Sequence, residues 1–199
     1  GVPVVFHDEN LEASSSGKGK MIDHTLAEVR TFEAGYNVTL DGGKTYPFRG
    51  KGCRIPTLEE VLKEFPDSII SIDIKYPLNS FADIVMALVR QQGMLDKVVI
   101  GSFSDAILDF VNSKYPAVAL TFGSADVKRF LFLNWFCLSG FFRTKADVIM
   151  VPQFSDTDRP EYLGEGVSQG FRVLTRSFID SARRLGFPVF AWTINRREN

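Results

Sequence analysis

The feature that most constrains the fold of this chain is a repeated alternation of short apolar, β-branched runs with amphipathic stretches. Short apolar runs predict strands, and apolar residues spaced three and four apart predict helices between them. Because a helix separates most successive strands, the strands are expected to run parallel in one sheet. The strand candidates are Val4–Phe6, Ile69–Ile74, Val98–Gly101, Val118–Phe122, Asp147–Val151 and Pro188–Thr193.

Four intervening segments carry helix signals. In TLEEVLKEF, Thr57 is a suitable N-cap and Glu60 occupies the capping-box position. Two more helices are predicted in SDAILDFVNSKYP and SFIDSARRLGFP, the latter ending at Gly186. The remaining helix, NSFADIVMALVRQQG, is predicted to bury an apolar face made of Phe81, Ile84, Val85, Leu88 and Val89.

Two architectures accommodate a parallel sheet of this kind, the doubly wound open sheet and the closed TIM barrel of eight βα units. An open sheet with a nucleotide site would show a glycine-rich turn, and neither GxGxxG nor GxxxxGK[ST] occurs. A barrel places polar groups at the carboxyl ends of several strands, as this sequence does. We therefore expect an α/β barrel, in a single domain over residues 1–199.

Charge and cysteine content narrow the function classes. The 199 residues are 45% hydrophobic and 24% charged with a net charge of -1, a composition typical of a soluble globular domain. This balance gives no electrostatic reason to expect nucleic acid as a partner. Cys53 and Cys137 are distant and form no CxxC pair, so the sequence indicates neither a disulfide framework nor a zinc cluster.

Asp73 interrupts the strand SIISIDIK, which should be apolar throughout if both of its faces are buried. A buried carboxylate needs a compensating partner. One interpretation is a structural ion pair with Lys75, which lies two residues on and points to the same side. The other places both side chains at the barrel mouth, with the carboxylate on a divalent metal and the ammonium on an anionic substrate.

His7 ends the first strand candidate and is followed by Asp8 and Glu9. A lone histidine is more often structural, but imidazole titrates near neutral pH and can transfer protons. Its position at a strand end makes it the candidate acid or base. His24 precedes a predicted helix and is interpreted as a surface or capping residue.

Four ordered segments, PVVFHDENLEASSSGKGKMIDHTLAEVRTFEAG, RIPTLEEVL, SIDIK and VFAWTIN, resemble the glycerophosphodiester phosphodiesterase family. Within that family, the sequence is most similar to the membrane-associated branch that acts on lysophospholipids or N-acyl glycerophospholipids. The resemblance implies a TIM barrel that hydrolyses glycerophosphodiesters or lysophospholipids with a divalent cation, Mg²⁺ or Ca²⁺.

The resemblance also implies roles for individual residues. His7 matches a histidine that serves as acid or base, and Asp73 matches a metal-binding carboxylate. Lys75 matches a lysine that faces the phosphate. Trp192 matches a ring near the glycerol or the leaving group, although an aromatic residue at a strand end is equally good packing.

The family's HRG and ExD motifs would precede PVVFHD, and its last strand would follow TIN, so we expect a fragment without the first and last strands. Such a fragment would hold about six of the eight strands. It would leave strand edges unpaired and would have little or no activity by itself.

The segment from Val127 to Lys145 is an apolar insertion with basic flanks. Its apolar part, Phe130 to Phe142, is shorter than the roughly twenty residues that span a bilayer. One interpretation is a buried barrel helix. The other is a helix or hairpin in a membrane interface, which would make the protein membrane-associated, at the endoplasmic reticulum or a cytoplasmic face. A non-catalytic phospholipid-binding module at a membrane surface is the alternative function.

Overall fold

A computed structural model of the chain describes residues 1–155 and 170–192, which form two compact units divided between Pro66 and Asp67. The first unit contains the helices Leu26–Val29 (α1) and Leu58–Glu64 (α2). Among its described residues, the second unit contains five strands, Ile70–Asp73 (β1), Val98–Gly101 (β2), Ala119–Leu120 (β3), Ile149–Pro152 (β4) and Val189–Trp192 (β5). Its helices are Asn79–Gln91 (α3), Asp105–Lys114 (α4), Ser124–Trp135 (α5) and Arg176–Arg184 (α6).

The helices of the first unit begin at capping boxes. Thr57 accepts a hydrogen bond from the backbone of Glu60, whose carboxylate accepts one from the backbone of Thr57, as the sequence predicts. Thr25 and Glu28 form the same arrangement at α1. Each box satisfies amide groups that a helix leaves free at its first turn. A small core of Leu11, Val29 and Ile55 holds the surrounding turns together.

The prediction of a strand at Val4–Phe6 is wrong. Val4 forms only an isolated antiparallel bridge with Thr57, and the backbone on either side bonds to the segment that leads into α2. The amide of Val5 donates to the carbonyl of Pro56 at 2.9 Å, and that of Leu58 donates to Pro3 at 2.9 Å. This apolar run therefore anchors the start of a helix instead of joining a sheet.

The strands of the second unit are parallel, as the alternation of elements predicts. β1 pairs with β2 in the register Asp73 to Gly101, β2 pairs with β3, and β4 pairs with β5. A parallel bridge between Thr121 and Val148 links the two sheets. The Ser71 hydroxyl of β1 lies 3.5 Å from the Met150 sulfur of β4, so the strands curve around a common inner face.

The segment predicted to be an insertion is part of the regular alternation of elements, because α5 connects β3 to β4. Phe130 and Leu131 on α5 are buried, as is Phe142 after the short 3-10 turn Ser139–Phe141. These side chains pack with Phe178 of α6 in the main core. Phe130 and Leu131 are thus buried as the interpretation as a buried helix requires, Phe142 is buried outside the helix, and none of the three is available to contact lipid.

Candidate active site

Asp73 is the last residue of β1, and its carboxylate forms an ion pair with Lys75, Oδ2 to Nζ 2.8 Å. The prediction of a strand buried on both faces is wrong. Ile70 and Ile72 are half-buried, whereas Ser71 and Asp73 point to an open face. The Asp73 and Lys75 side chains keep 40% and 43% of their surface exposed, so both charges remain accessible to a ligand.

Gly101 lies beside Asp73 on the neighbouring strand and keeps this face open. A Cβ atom added to Gly101 would lie 3.7 Å from Asp73 Oδ1 and 3.2 Å from the buried hydroxyl of Thr121 on the far side. The missing side chain thus leaves room next to the carboxylate. Glycine in a strand interior often marks such a close approach.

Trp192 lies at the carboxyl end of β5 and is linked to the Asp73–Lys75 pair through Phe103. The sequence analysis did not identify Phe103 as a site residue. The rings of Phe103 and Trp192 meet edge to face, with centroids 6.3 Å apart and planes at 83°. The Lys75 ammonium lies 5.3 Å from the Phe103 centroid. Asp73, Lys75, Phe103 and Trp192 therefore form one cluster at the carboxyl ends of three parallel strands.

The period-two alternation of a strand could have revealed Phe103. It follows Gly101 by two residues and so continues the face on which Gly101 lies. The polar residue that directly follows this strand in the sequence is Ser102. Ser102 is buried, and its hydroxyl donates to the carbonyl of Ile74 at 2.8 Å, which ties the two strand ends together.

His7 belongs to the first unit, where its side chain is 83% exposed. Its Nδ1 lies 3.0 Å from Asp8 Oδ1, and the other carboxylate oxygen of Asp8 accepts a hydrogen bond from the Ser14 hydroxyl at 3.2 Å. A carboxylate that is itself held in place fixes the orientation of the imidazole. His24 has a structural role, since its ring packs edge-on against Phe32 and Nε2 lies 2.8 Å from the Lys18 carbonyl.

The donor chemistry of Asp73 suits a hard divalent cation, because carboxylate oxygens are the usual ligands of Mg²⁺ and Ca²⁺. Within residues 1–155 and 170–192, however, no three His, Cys, Asp or Glu side chains are grouped closely enough to hold a metal ion. Asp73 thus fits as one ligand of such a site. Asn195 and Thr193 of the TIN segment lie outside the described residues.

A cavity of about 600 Å³ lies elsewhere in the second unit, along α6. Another, of about 460 Å³, lies between α4, α5 and the turn before β4. Neither is lined by Asp73, Lys75 or Trp192. The candidate site is instead a cluster of partly exposed side chains at strand ends.

Comparison with known proteins identifies the family. The sequence profile of the glycerophosphoryl diester phosphodiesterase family matches residues 1–199. The chain belongs to this family. It is 32% identical over 128 residues to a glycerophosphodiester phosphodiesterase of Bacillus subtilis, covering 57% of this chain and 42% of that protein. It is 24% identical over 200 residues to lysophospholipase D GDPD1 of Mus musculus, covering 96% of this chain and 63% of that protein.

The fold of this chain is similar to solved structures of the family. The glycerophosphoryl diester phosphodiesterase domain of an uncharacterised Mycobacterium tuberculosis protein superposes with a TM-score of 0.70 at 18% identity, covering 96% of this chain and 80% of that one. A phosphodiesterase from Oleispira antarctica, solved in complex with the product sn-glycerol 3-phosphate, gives 0.60 at 18% identity, covering 99% and 69%. The chain spans only part of the length of these relatives.

Proposed function

We propose that the protein containing this chain hydrolyses glycerophosphodiesters. The observation that carries the proposal is the accessible Asp73–Lys75 pair at the carboxyl end of β1, flanked by two aromatic rings, in a chain of this family. In parallel α/β folds, ligands bind at the carboxyl ends of the strands. The product bound to the Oleispira antarctica phosphodiesterase supports a substrate that contains glycerol phosphate.

In the proposed reaction, the bond between phosphorus and the oxygen of the attached alcohol breaks, and an oxygen from water replaces that alcohol on phosphorus. Lys75 binds the phosphate as a compact positive charge. His7 accepts a proton from the attacking oxygen or returns one to the departing alkoxide, with Asp8 orienting its ring. Trp192 and Phe103 contact the carbon-containing group on the phosphate.

Asp73 would hold a divalent cation, Mg²⁺ or Ca²⁺, as one of several ligands. When bound, such a cation offsets the negative charge that develops on the phosphate oxygens. Asp73 and Lys75 form an ion pair in the chain described here, so cation and phosphate would each replace one partner of that pair. We infer that the 199-residue chain by itself hydrolyses substrate slowly, because no group of three His, Cys, Asp or Glu side chains among the described residues could hold the cation together with Asp73.

We also propose that the five parallel strands are part of an incomplete TIM barrel that lacks its first and last strands. The contact between Ser71 of β1 and Met150 of β4 supports this, since it shows side chains of separate strands meeting on one inner face. The open cluster of Asp73, Lys75 and Trp192 would then lie at the mouth of that barrel.

The test is a hydrolysis assay on the longest natural form of the protein, with glycerophosphocholine and lysophosphatidylcholine as substrates. We expect release of glycerol phosphate or lysophosphatidic acid that stops on chelation and returns with added Mg²⁺ or Ca²⁺. His7→Ala should lower kcat by a factor of about 10² to 10⁴, whereas the control His24→Gln should not. Absence of turnover with metal present would exclude the proposed hydrolysis, and turnover that survives both chelation and His7→Ala would exclude the roles of the cation and of His7.

The second candidate function is a non-catalytic module that binds phospholipid at a membrane surface. The specific observation in its favour is the exposure of Trp135, Phe136 and Phe141 on the α5 segment. None of the helices in the described parts of the chain is long and apolar enough to cross a bilayer. Binding to phospholipid vesicles without any hydrolysis, with metal present, would favour this module over the enzyme.

A further inference from the structure

Helix α5 has two faces of different character. Phe130, Leu131 and Asn134 are buried in the second unit. The other side carries four exposed residues, Lys128, Phe132, Trp135 and Phe136. The three aromatic residues follow Lys128 by four, seven and eight positions. This spacing places them along one face of the helix. The exposed fractions of Phe132, Trp135 and Phe136 are 56%, 60% and 61%, so three large rings face outward side by side.

The turn after α5 extends this apolar surface. The amide of Cys137 donates to Asn134 and that of Leu138 to Leu133, the two hydrogen bonds of a Schellman motif. Leu138 and Phe141 are then 44% and 76% exposed before Phe142 returns to the core. Leu138 and Phe141 are therefore exposed in a segment that is fixed by backbone hydrogen bonds before it and by the buried Phe142 after it. This segment is not a loosely packed loop.

A separate part of the sequence completes the surface. Phe171 is 48% exposed, and its ring lies edge-on to Trp135 with centroids 5.5 Å apart. Phe132 and Phe136 form a second ring pair with centroids 4.9 Å apart. We call Phe132, Trp135, Phe136, Leu138, Phe141 and Phe171 the aromatic patch. Exposed apolar groups of this kind mark interaction sites more often than ordinary protein surface.

Charge around the aromatic patch indicates what it contacts. Residues 124–145 carry Lys128, Arg129, Arg143 and Lys145 against the single acid Asp126, a net charge of +3 in a chain whose total is -1. Lys128 forms no ion pair with any described residue and lies one helical turn from Phe132. A free basic side chain at the edge of an apolar, tryptophan-containing face, in a segment of net positive charge, matches the interface of a bilayer with anionic lipid.

We propose that the aromatic patch docks the protein on the surface of a membrane that contains anionic phospholipid. The rings of Trp135, Phe136 and Phe141 enter the boundary between head groups and acyl chains, while Lys128, one turn from Phe132, remains among the lipid phosphates. The surface so defined differs from the whole apolar run of the sequence, since Phe130 and Phe142 belong to the core and Phe171 joins from elsewhere. The proposal does not depend on hydrolysis, because docking is measured as binding.

The experiment is co-sedimentation with vesicles of phosphatidylcholine alone and of phosphatidylcholine with phosphatidylserine. We expect binding to the mixed vesicles that weakens with added salt and is poorer to phosphatidylcholine alone. In a Trp192→Phe background Trp135 is the one tryptophan of the 199 residues, so its emission should shift to the blue on binding. Phe141→Ser and Trp135→Ser should each weaken binding by about tenfold, and Lys128→Glu by roughly fivefold or more.

The matched control is Phe65→Ser, which removes a ring that is 53% exposed at the end of α2 in the first unit. Wild-type affinity in Phe65→Ser together with weakened binding in Phe141→Ser supports the proposal. Absence of vesicle binding would overturn it, as would equal losses in the two variants. Sedimentation velocity tests whether a second copy of the chain covers the aromatic patch instead. A dimer that Phe141→Ser dissociates, with vesicle binding unchanged in that variant, also overturns the proposal.

Discussion

Phe130 and Phe132 lie two residues apart on α5, and the structure predicts opposite consequences for removing their rings. Phe130 is fully buried, with its ring centroid 4.9 Å from that of Phe178 and 5.0 Å from that of Phe142. Phe132 is 56% exposed and contacts the ring of Phe136. The pair therefore tests which face of the helix packs inward.

The magnitude follows from burial. Replacing a buried phenylalanine by alanine costs about 3–5 kcal/mol, because apolar contact is lost and a cavity remains. Phe130→Ala should fall in this range, about 4 kcal/mol, which at a denaturant slope of about 2 kcal/mol/M shifts the urea midpoint by about 2 M. Phe132→Ala should cost about 1 kcal/mol or less, the value of one exposed aromatic pair.

The assay is urea unfolding followed by tryptophan fluorescence. Trp135 and Trp192 both lie in the second unit, so the signal reports on the unit that contains α5. Agreement with the transition seen by circular dichroism would show whether the two units unfold together. Equal destabilisation by the two variants would refute the assigned orientation of α5, and the aromatic patch with it.

Three further changes probe other parts of the molecule. Cys137 has a left-handed backbone, φ 58°, so Cys137→Gly should raise the free energy of unfolding by about 1 kcal/mol in urea melts while Cys137→Ala leaves it unchanged. Gly101→Ala should lower the hydrolysis rate about tenfold or more without loss of helical signal, because the added Cβ would lie 3.2 Å from the Thr121 hydroxyl and would shift the strand end beside Asp73. The side-chain hydrogen bond from Arg30 lowers the pKa of Glu60 to about 2. The stability that Glu60 gives the first unit should therefore persist above pH 4.5 and disappear as the pH falls toward 2. Glu60→Gln should remove this pH dependence when unfolding is measured in acid.

The sequence predicts well those elements that local patterns determine. Val98–Gly101 has the predicted bounds, and the Thr57 capping box was evident from two residues three apart. Gly186 ends α6 with φ 85°, as its position suggests. These features depend on neighbours within one turn or one strand, where propensity and capping act directly.

Features that depend on distant partners were predicted less well. In α3, Val85 and Val89 are buried as predicted, but Ala82 and Met86 complete the face and Ile84 is 37% exposed. The prediction included Ile84 and left out Ala82 and Met86, so it placed the buried face of the helix at the wrong angle.

The candidate site shows the same limit. Lys75 follows Asp73, the last residue of β1, by two residues, so their pairing could be predicted from the alternation of side chains along an extended chain. Phe103 and Trp192 meet only because the second unit brings the ends of β2 and β5 together. Likewise, Val4–Phe6 has the composition of a strand, yet its backbone bonds to the residues that precede α2.

The most direct test of the proposed activity is the kcat for glycerophosphocholine hydrolysis by Asp73→Asn in the longest natural form of the protein. Asparagine keeps the size of the side chain but removes its charge. The account predicts a loss of at least about hundredfold, with wild-type kcat in the control Asp109→Asn, an exposed residue on α4. Hydrolysis by Asp73→Asn at the wild-type rate would contradict it.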